Sequence, residues 1–217
     1  MPDSLTDRTF LQGLRFLRNC DEKLAFVLDE HGPPPMWSRE PGFPTMVHII
    51  LEQQVSLASA RAAFTHLIET VTPLTPTGFL ALDDVTLKEV GFSRQKAAYC
   101  RQLSGAILNG EINFKELHNM DDSTARSELM KLKGVGSWTA DIYLLMALKR
   151  PDIWPNGDLA LAVAVQDLKI LSSRPAPEKL HEISLQWSPW RAVAARILWH
   201  YYLNRAAQHQ KRLPDIH

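Results

Sequence analysis

The chain has 217 residues, 45% of them apolar, and its 24 basic side chains balance 24 acidic ones. At this length about 70% of the unfolded chain's surface can be buried without covalent staples. Its two cysteines, Cys20 and Cys100, exclude a multi-disulfide framework, a four-cysteine zinc site and a four-cysteine iron–sulfur cluster.

Zero net charge removes the simplest electrostatic argument for nucleic acid, so such a partner has to be argued from motifs. The opening residues have neither the basic region nor the apolar core of a signal peptide, and no apolar run approaches the ~18 residues of a membrane span. A reducing, cytoplasmic setting without a membrane partner is expected.

Strand signals are nearly absent while apolar residues recur at spacings of three and four, which predicts an all-α protein. Gly32-Pro33-Pro34-Pro35 through Pro41 and Pro44 mark a candidate domain crossing. Thr45 to Thr70 predicts two helices or one bent helix. Val47, Ile50, Leu51, Val55, Ala58, Ala62, Leu67 and Ile68 are available for its core face, interrupted by Gln53, Gln54 and Ser56. Ser93 opens a further helix that ends at Gly110. A helical segment around Ser127 to Lys131 leads into Leu132-Lys133-Gly134-Val135-Gly136-Ser137-Trp138-Thr139-Ala140-Asp141, which reads as helix, glycine turn, helix. Trp138 to Leu148 and Leu159 to Val165 are apolar nearly all round and belong inside the structure. Between them, Pro151 to Gly157 forms the second candidate crossing. Ser188-Pro189 opens the last predicted helix, Trp190 to Ala207.

Two short stretches carry chemistry. Gly134 and Gly136 permit unusual backbone angles and close approach of another backbone, and the helix behind them offers free amides. Such a turn can hold a phosphate diester with few basic side chains, although a tight helix–helix corner has the same spacing. Gly157-Asp158-Leu159 reads as a helix N-cap. A carboxylate there is stabilised as the anion, which makes it a weak base but a well-placed negative charge. The eight histidines form no pair at metal-ligand spacing with a nearby carboxylate, and neither a phosphate-binding Gly-Lys-Ser/Thr loop, a dinucleotide fingerprint nor a Gly-x-Ser-x-Gly elbow is present. Arg94, Lys96, Arg101, Lys131, Lys133 and Arg191 either line a DNA face or form a scattered solvated surface.

Several ordered pieces point to a known family. They are Ile49-Ile50-Leu51-Glu52-Gln53-Gln54-Val55-Ser56, Gly91-Phe92-Ser93-Arg94-Gln95-Lys96-Ala97, the hairpin, Pro155-Asn156-Gly157-Asp158-Leu159, and Ser188-Pro189-Trp190-Arg191 leading to Trp199. Together, with Asp158 22 positions beyond Gly136, they resemble the helix-hairpin-helix DNA glycosylases, and among those the 3-methyladenine DNA glycosylase II type in a short form lacking most of the N-terminal β-containing domain. The resemblance runs from about Phe43 to Asn204.

What it implies is a monomeric enzyme of two helical subdomains, residues 43–149 and residues 1–42 plus 150–217, with a DNA-binding cleft between them. Such an enzyme flips an alkylated base of the 3-methyladenine or 7-methylguanine class out of duplex DNA. It then hydrolyses the N-glycosidic bond to leave an abasic site, working in base excision repair with the bacterial nucleoid. By resemblance, Asp158 is the catalytic carboxylate, and Trp138 and Trp199 are the aromatics that stack on a cationic base. Gln53, Gln54 and Ser56 contact DNA, with Gln54 wedged into the gap left by the flipped nucleotide. Gly134, Gly136, Thr139 and Lys133 face the phosphate, and the carbonyls of Met130, Leu132 and Val135 hold a sodium or potassium ion. No cofactor serves the chemistry and no iron–sulfur cluster is implied.

Family members that cut the backbone carry a lysine two residues after the second hairpin glycine. Trp138 stands there and cannot form an imine, which implies a monofunctional enzyme. The chain departs from the type at Gln54, often leucine, and at Ile142, where an aromatic can occur. Glycosylases for hypoxanthine, ethenoadenine or mismatched bases, and a non-catalytic damage-binding module, remain open alternatives.

Overall fold

The computed structural model describes residues 4–212, with side chains through Arg205. The described residues contain helices and no strand. Along the chain these are α1 (Asp7–Cys20), α2 (Glu22–His31), α3 (Phe43–Glu52), α4 (Leu57–Thr70), α5 (Pro76–Leu80), α6 (Asp84–Glu89), α7 (Arg94–Leu108), α8 (Asp122–Met130), α9 (Ser137–Met146), α10 (Leu159–Leu168), α11 (Pro177–Ser184) and α12 (Arg191–Arg212). None of the described helices is long and apolar enough to cross a membrane. The chain divides into two compact units. Among the described residues, one is the continuous stretch Ser38–Leu148, and the other combines residues 4–37 with 149–212.

In the continuous unit, α3 packs against α4, α7 and α9, and α8 lies on α9. Helix α9 is buried continuously from Thr139 to Leu145, as its apolar sequence requires. Expectation and structure part at α4. Of the predicted core face, Val47, Ile50, Leu51 and Leu67 are buried, whereas Val55, Ala58 and Ala62 are exposed, and α4 buries Ala60, Ala63 and Leu67 instead. The cause is the break between the helices. Gln54 adopts φ 56°, so the helical phase of α3 does not carry through, and α4 starts afresh at its Ser56 cap.

The second unit is stitched from both halves of the chain. Helices α1 and α2 pack with α12, and α12 packs with α10. Asp21 is the knot. Its carboxylate accepts the Lys23 and Leu24 amides to open α2, and it also takes the Trp187 indole N–H at 3.0 Å and the Lys169 ammonium at 3.3 Å. Burial alone would raise its pKa, but these donors outweigh burial and hold the carboxyl below its ordinary 3.8. Helix α10 buries Leu161, Ala162, Ala164, Val165 and Leu168, while Leu159, expected inside, is 56% exposed. Being the first residue after the cap, Leu159 lies where α10 emerges from its turn.

Candidate active site and nucleic-acid interface

Asp158 caps α10. Its Oδ1 accepts the Leu161 amide at 3.0 Å and the Trp199 indole N–H at 3.2 Å, and the residue is 8% exposed. Two N–H donors on one oxygen fix the orientation of the carboxylate. The turn before it carries Gly157 at φ 79°, a left-handed conformation that suits glycine. Trp199 is itself 9% exposed. Asp158 and Trp199, 41 positions apart in the chain, are thus brought into contact.

The hairpin lies in the continuous unit. Helix α8 ends, Lys131 and Leu132 donate to the Glu128 and Leu129 carbonyls, the Val135 amide donates to the Leu132 carbonyl at 3.1 Å, and α9 begins at Ser137. The two glycines do different jobs. Gly134 has φ 86°, and a Cβ there would come within 2.3 Å of the Tyr99 ring, so both backbone and packing demand glycine. Gly136 has an extended backbone, φ −87°, and a Cβ there would meet nothing within 4 Å. Unusual angles, expected of both glycines, are therefore needed at Gly134 alone. No side chain caps the amides that begin α9, and the space beside Gly136 is open to a ligand. Lys133 is exposed, Trp138 half-buried on the first turn of α9, and Met130 exposed.

The turn between α3 and α4 is fastened to this hairpin. The Gln53 Nε2 donates to the Gly134 carbonyl and to the Thr139 hydroxyl, both at 2.9 Å. Thr139 is 3% exposed, and its hydroxyl is engaged by Gln53. Gln54 and Ser56 stay exposed at the apex. The end of α3 is anchored twice more: Arg39 pairs in bidentate fashion with Glu52 at 2.6 and 3.1 Å, and the Lys96 ammonium donates to the Leu51 carbonyl at 2.7 Å.

Four of the basic residues considered for a DNA face have partners inside the protein. Lys96 holds Leu51, Arg101 binds the Leu82 carbonyl and Asp84, Lys131 pairs with Glu128, and Arg191 pairs with Asp152. Sequence reasoning missed Asp141, 1% exposed and paired with Arg126 across α8 and α9. The signal was available, since a lone acid inside an otherwise apolar helix needs a buried partner. It also missed Tyr99, whose contact with Gly134 spans 35 positions and leaves no local trace. No cluster of three or more metal-ligating His, Cys, Asp or Glu side chains occurs among the described residues.

The model of the HhH-GPD superfamily of base excision DNA repair proteins matches residues 47–189, and the chain belongs to that family. It is 27% identical to Bacillus subtilis YfjP, a candidate DNA-3-methyladenine glycosylase, over 81% of this chain and 64% of that protein. It is 28% identical to the alkylbase DNA glycosidase-like protein mag2 of Schizosaccharomyces pombe, over 89% of this chain and 94% of that one. The fold matches S. pombe 3-methyladenine DNA glycosylase Mag1, solved in complex with abasic DNA, with a TM-score of 0.82 at 24% identity over 87% of this chain and 95% of that one.

Proposed function

We propose that this protein is a monofunctional DNA N-glycosylase that removes alkylated bases of the 3-methyladenine and 7-methylguanine class from duplex DNA by hydrolysis. The observation that carries the reading is the Asp158 carboxylate, held by the Trp199 indole and the Leu161 amide at the start of α10. The names of YfjP, mag2 and Mag1 support the substrate class.

The chemistry follows from charge. An alkylated purine is cationic, so when the C1′–N bond breaks its electron pair leaves with the base, which departs neutral and needs no acid. The sugar left behind has oxocarbenium character, and a fixed carboxylate stabilises that developing cation. Water adds at C1′ and loses its proton, giving the abasic site. Trp138, half-buried, keeps ring surface to offer a cationic base, whereas Trp199, 9% exposed, serves by holding the carboxylate.

Trp138 stands where a Schiff-base lysine would be needed, so base loss is not followed by strand cleavage. Gln54, exposed at the apex with φ 56°, is the side chain to fill the gap in the duplex, with Gln53 and Ser56 setting that turn. The open space at Gly136, the start of α9 and Lys133 receive a phosphate.

The carbonyls of Met130, Leu132 and Val135 make a neutral oxygen donor set suited to sodium or potassium, and the Leu132 oxygen keeps a lone pair beyond its bond to Val135. An ion held there would add positive charge beside the bound phosphate.

The test is single-turnover base release from dimethyl-sulfate-treated duplex DNA by wild type and Asp158→Asn, with strand breaks scored before and after alkali. Release of 3-methyladenine or 7-methylguanine by wild type alone, with breaks appearing only after alkali, is the expected result. Intact duplex binding without release from either protein overturns the alkylbase assignment.

A further inference from the structure

Helix α12 holds α10 by side-chain hydrogen bonds at both ends of α10, and the two helices belong to one compact unit. At the first end the Trp199 indole donates to Asp158. At the other, Asp167, the last residue but one of α10, accepts the Tyr201 hydroxyl at 2.6 Å and pairs through the same oxygen with Arg205. Tyr201 and Arg205 are four positions apart and so share one face of α12. An acid in the last turn of a helix faces the negative end of the helix dipole, where a neutral or basic residue is more at ease. Two donors from α12 are what a carboxylate gains there. Burial, then the bond to Asp167 and its charge, push the Tyr201 phenol up to about 12, so the hydroxyl keeps its proton to donate at any ordinary pH.

The two ends differ in slack. The Tyr201 bond at 2.6 Å is short for its kind, while the Trp199 bond to Asp158, at 3.2 Å, lies at the long limit of good N–H···O geometry. Trp199 precedes Tyr201 by two residues, about 3 Å along the helix axis, so both side chains move with one segment of backbone. A displacement of α12 by about half an ångström takes the indole out of reach of Asp158. The contacts at Asp167 oppose that displacement.

We infer that Asp167 is a positioning residue for the Asp158 carboxylate: by holding Tyr201 and Arg205 it fixes the stretch of α12 that keeps the Trp199 indole in bonding range of Asp158. The inference rests on the reading of Asp158 as the catalytic carboxylate, and it extends the working parts of the site to the far end of α10. A carboxylate that loses one of its N–H donors turns more freely, and stabilisation of a developing cation depends on where the charge is aimed as well as on its presence.

The test measures single-turnover release of 7-methylguanine at saturating enzyme, beside affinity for a duplex containing an abasic site. It compares wild type, Asp167→Ala, Asp167→Asn, Tyr201→Phe and Trp199→Phe, with Asp167→Ala and Tyr201→Phe each also combined with Trp199→Phe. Asp167→Ala should lower release about tenfold and Tyr201→Phe about threefold, with abasic-site affinity unchanged, and Asp167→Asn, which keeps an acceptor, should recover most of the rate. Once Trp199→Phe has removed the indole bond, neither change should cost anything further. Losses that multiply in the combined variants overturn the inference, since they mark a general loosening of the fold. So does a wild-type rate in both Asp167→Ala and Tyr201→Phe, or a rate loss matched by lost abasic-site affinity. Tyr201→Phe removes a single oxygen atom and carries the comparison if Asp167→Ala fails to fold. Absence of release from wild type overturns the alkylbase reading, and this inference with it.

Discussion

The Gln53 side chain donates from one amide nitrogen to the Gly134 carbonyl and the Thr139 hydroxyl, joining two elements 81 and 86 positions away in the chain. Both acceptors sit in the hairpin, so the exposed apex at Gln54 and the turn proposed to hold a phosphate move as one piece. Gln53→Ala removes both bonds and strands the buried Thr139 hydroxyl, at a cost of about 1–3 kcal/mol. The expected outcome is a lower urea midpoint together with weaker duplex binding, with release from already bound DNA less affected.

The two hairpin glycines should respond differently to alanine. Gly134→Ala meets a left-handed backbone and the Tyr99 ring at once, and should destabilise the protein by roughly 2 kcal/mol or more. Gly136→Ala meets open space and an ordinary backbone. Its stability should stay within about 1 kcal/mol of wild type while duplex affinity falls, because the added methyl occupies the room where the phosphate would sit. Paired denaturation and binding curves separate the two.

Asp158→Asn keeps an oxygen able to cap α10 but removes the negative charge. Base release should fall about 100-fold or more with affinity for abasic-site duplex retained. A change in melting temperature large enough to account for the lost activity would argue against an electrostatic role. Borohydride treatment during turnover should trap no protein–DNA adduct, since Trp138 supplies no amine.

Asp141 and Arg126 form an ion pair between α8 and α9 with the acid buried and the arginine 39% exposed at its side chain. Asp141→Ala leaves Arg126 able to turn to water, so the loss should be about 2 kcal/mol, below the 3–5 kcal/mol of a fully buried pair broken on one side. Chemical denaturation of Asp141→Ala, of Arg126→Ala and of the double variant isolates the coupling.

His48 provides a pH signature. Burial, then the Arg39 charge, holds its pKa below the ordinary 6.5, with Glu52 opposing, while its ring stacks on Phe64 at 4.2 Å. The unfolded chain therefore takes the proton first, and the stability supplied by this group is complete above about pH 6.5 and declines as pH falls below it. Denaturant midpoints at about pH 7.5 and 5.5 should drop more in wild type than in His48→Gln.

The helical class, the glycine turn and the cap at Asp158 were legible because each is written in adjacent residues: 3-to-4 spacing, Gly134 before an apolar run, Gly157-Asp158 before another. The phase of α4 was not, because a single left-handed residue, Gln54, resets the helical face. Nor were the Gln53 amide bonds, the Tyr99 contact or the Asp141 pair, whose partners meet only after packing. The internal partners of the basic residues were hidden for the same reason. A lysine such as Lys96 looks available in sequence until the Leu51 carbonyl is found against it.

Asp21 reaches 166 positions along the chain to Trp187, which sets an order of events in synthesis. The Ser38–Leu148 unit is one uninterrupted stretch and can close as soon as it has left the ribosome. The unit bearing Asp158 cannot, because α1 and α2 wait for α12 to be translated. A nascent chain stalled before α12 would carry a finished hairpin and no organised Asp158 carboxylate, so any function that needs both has to wait for the last helix.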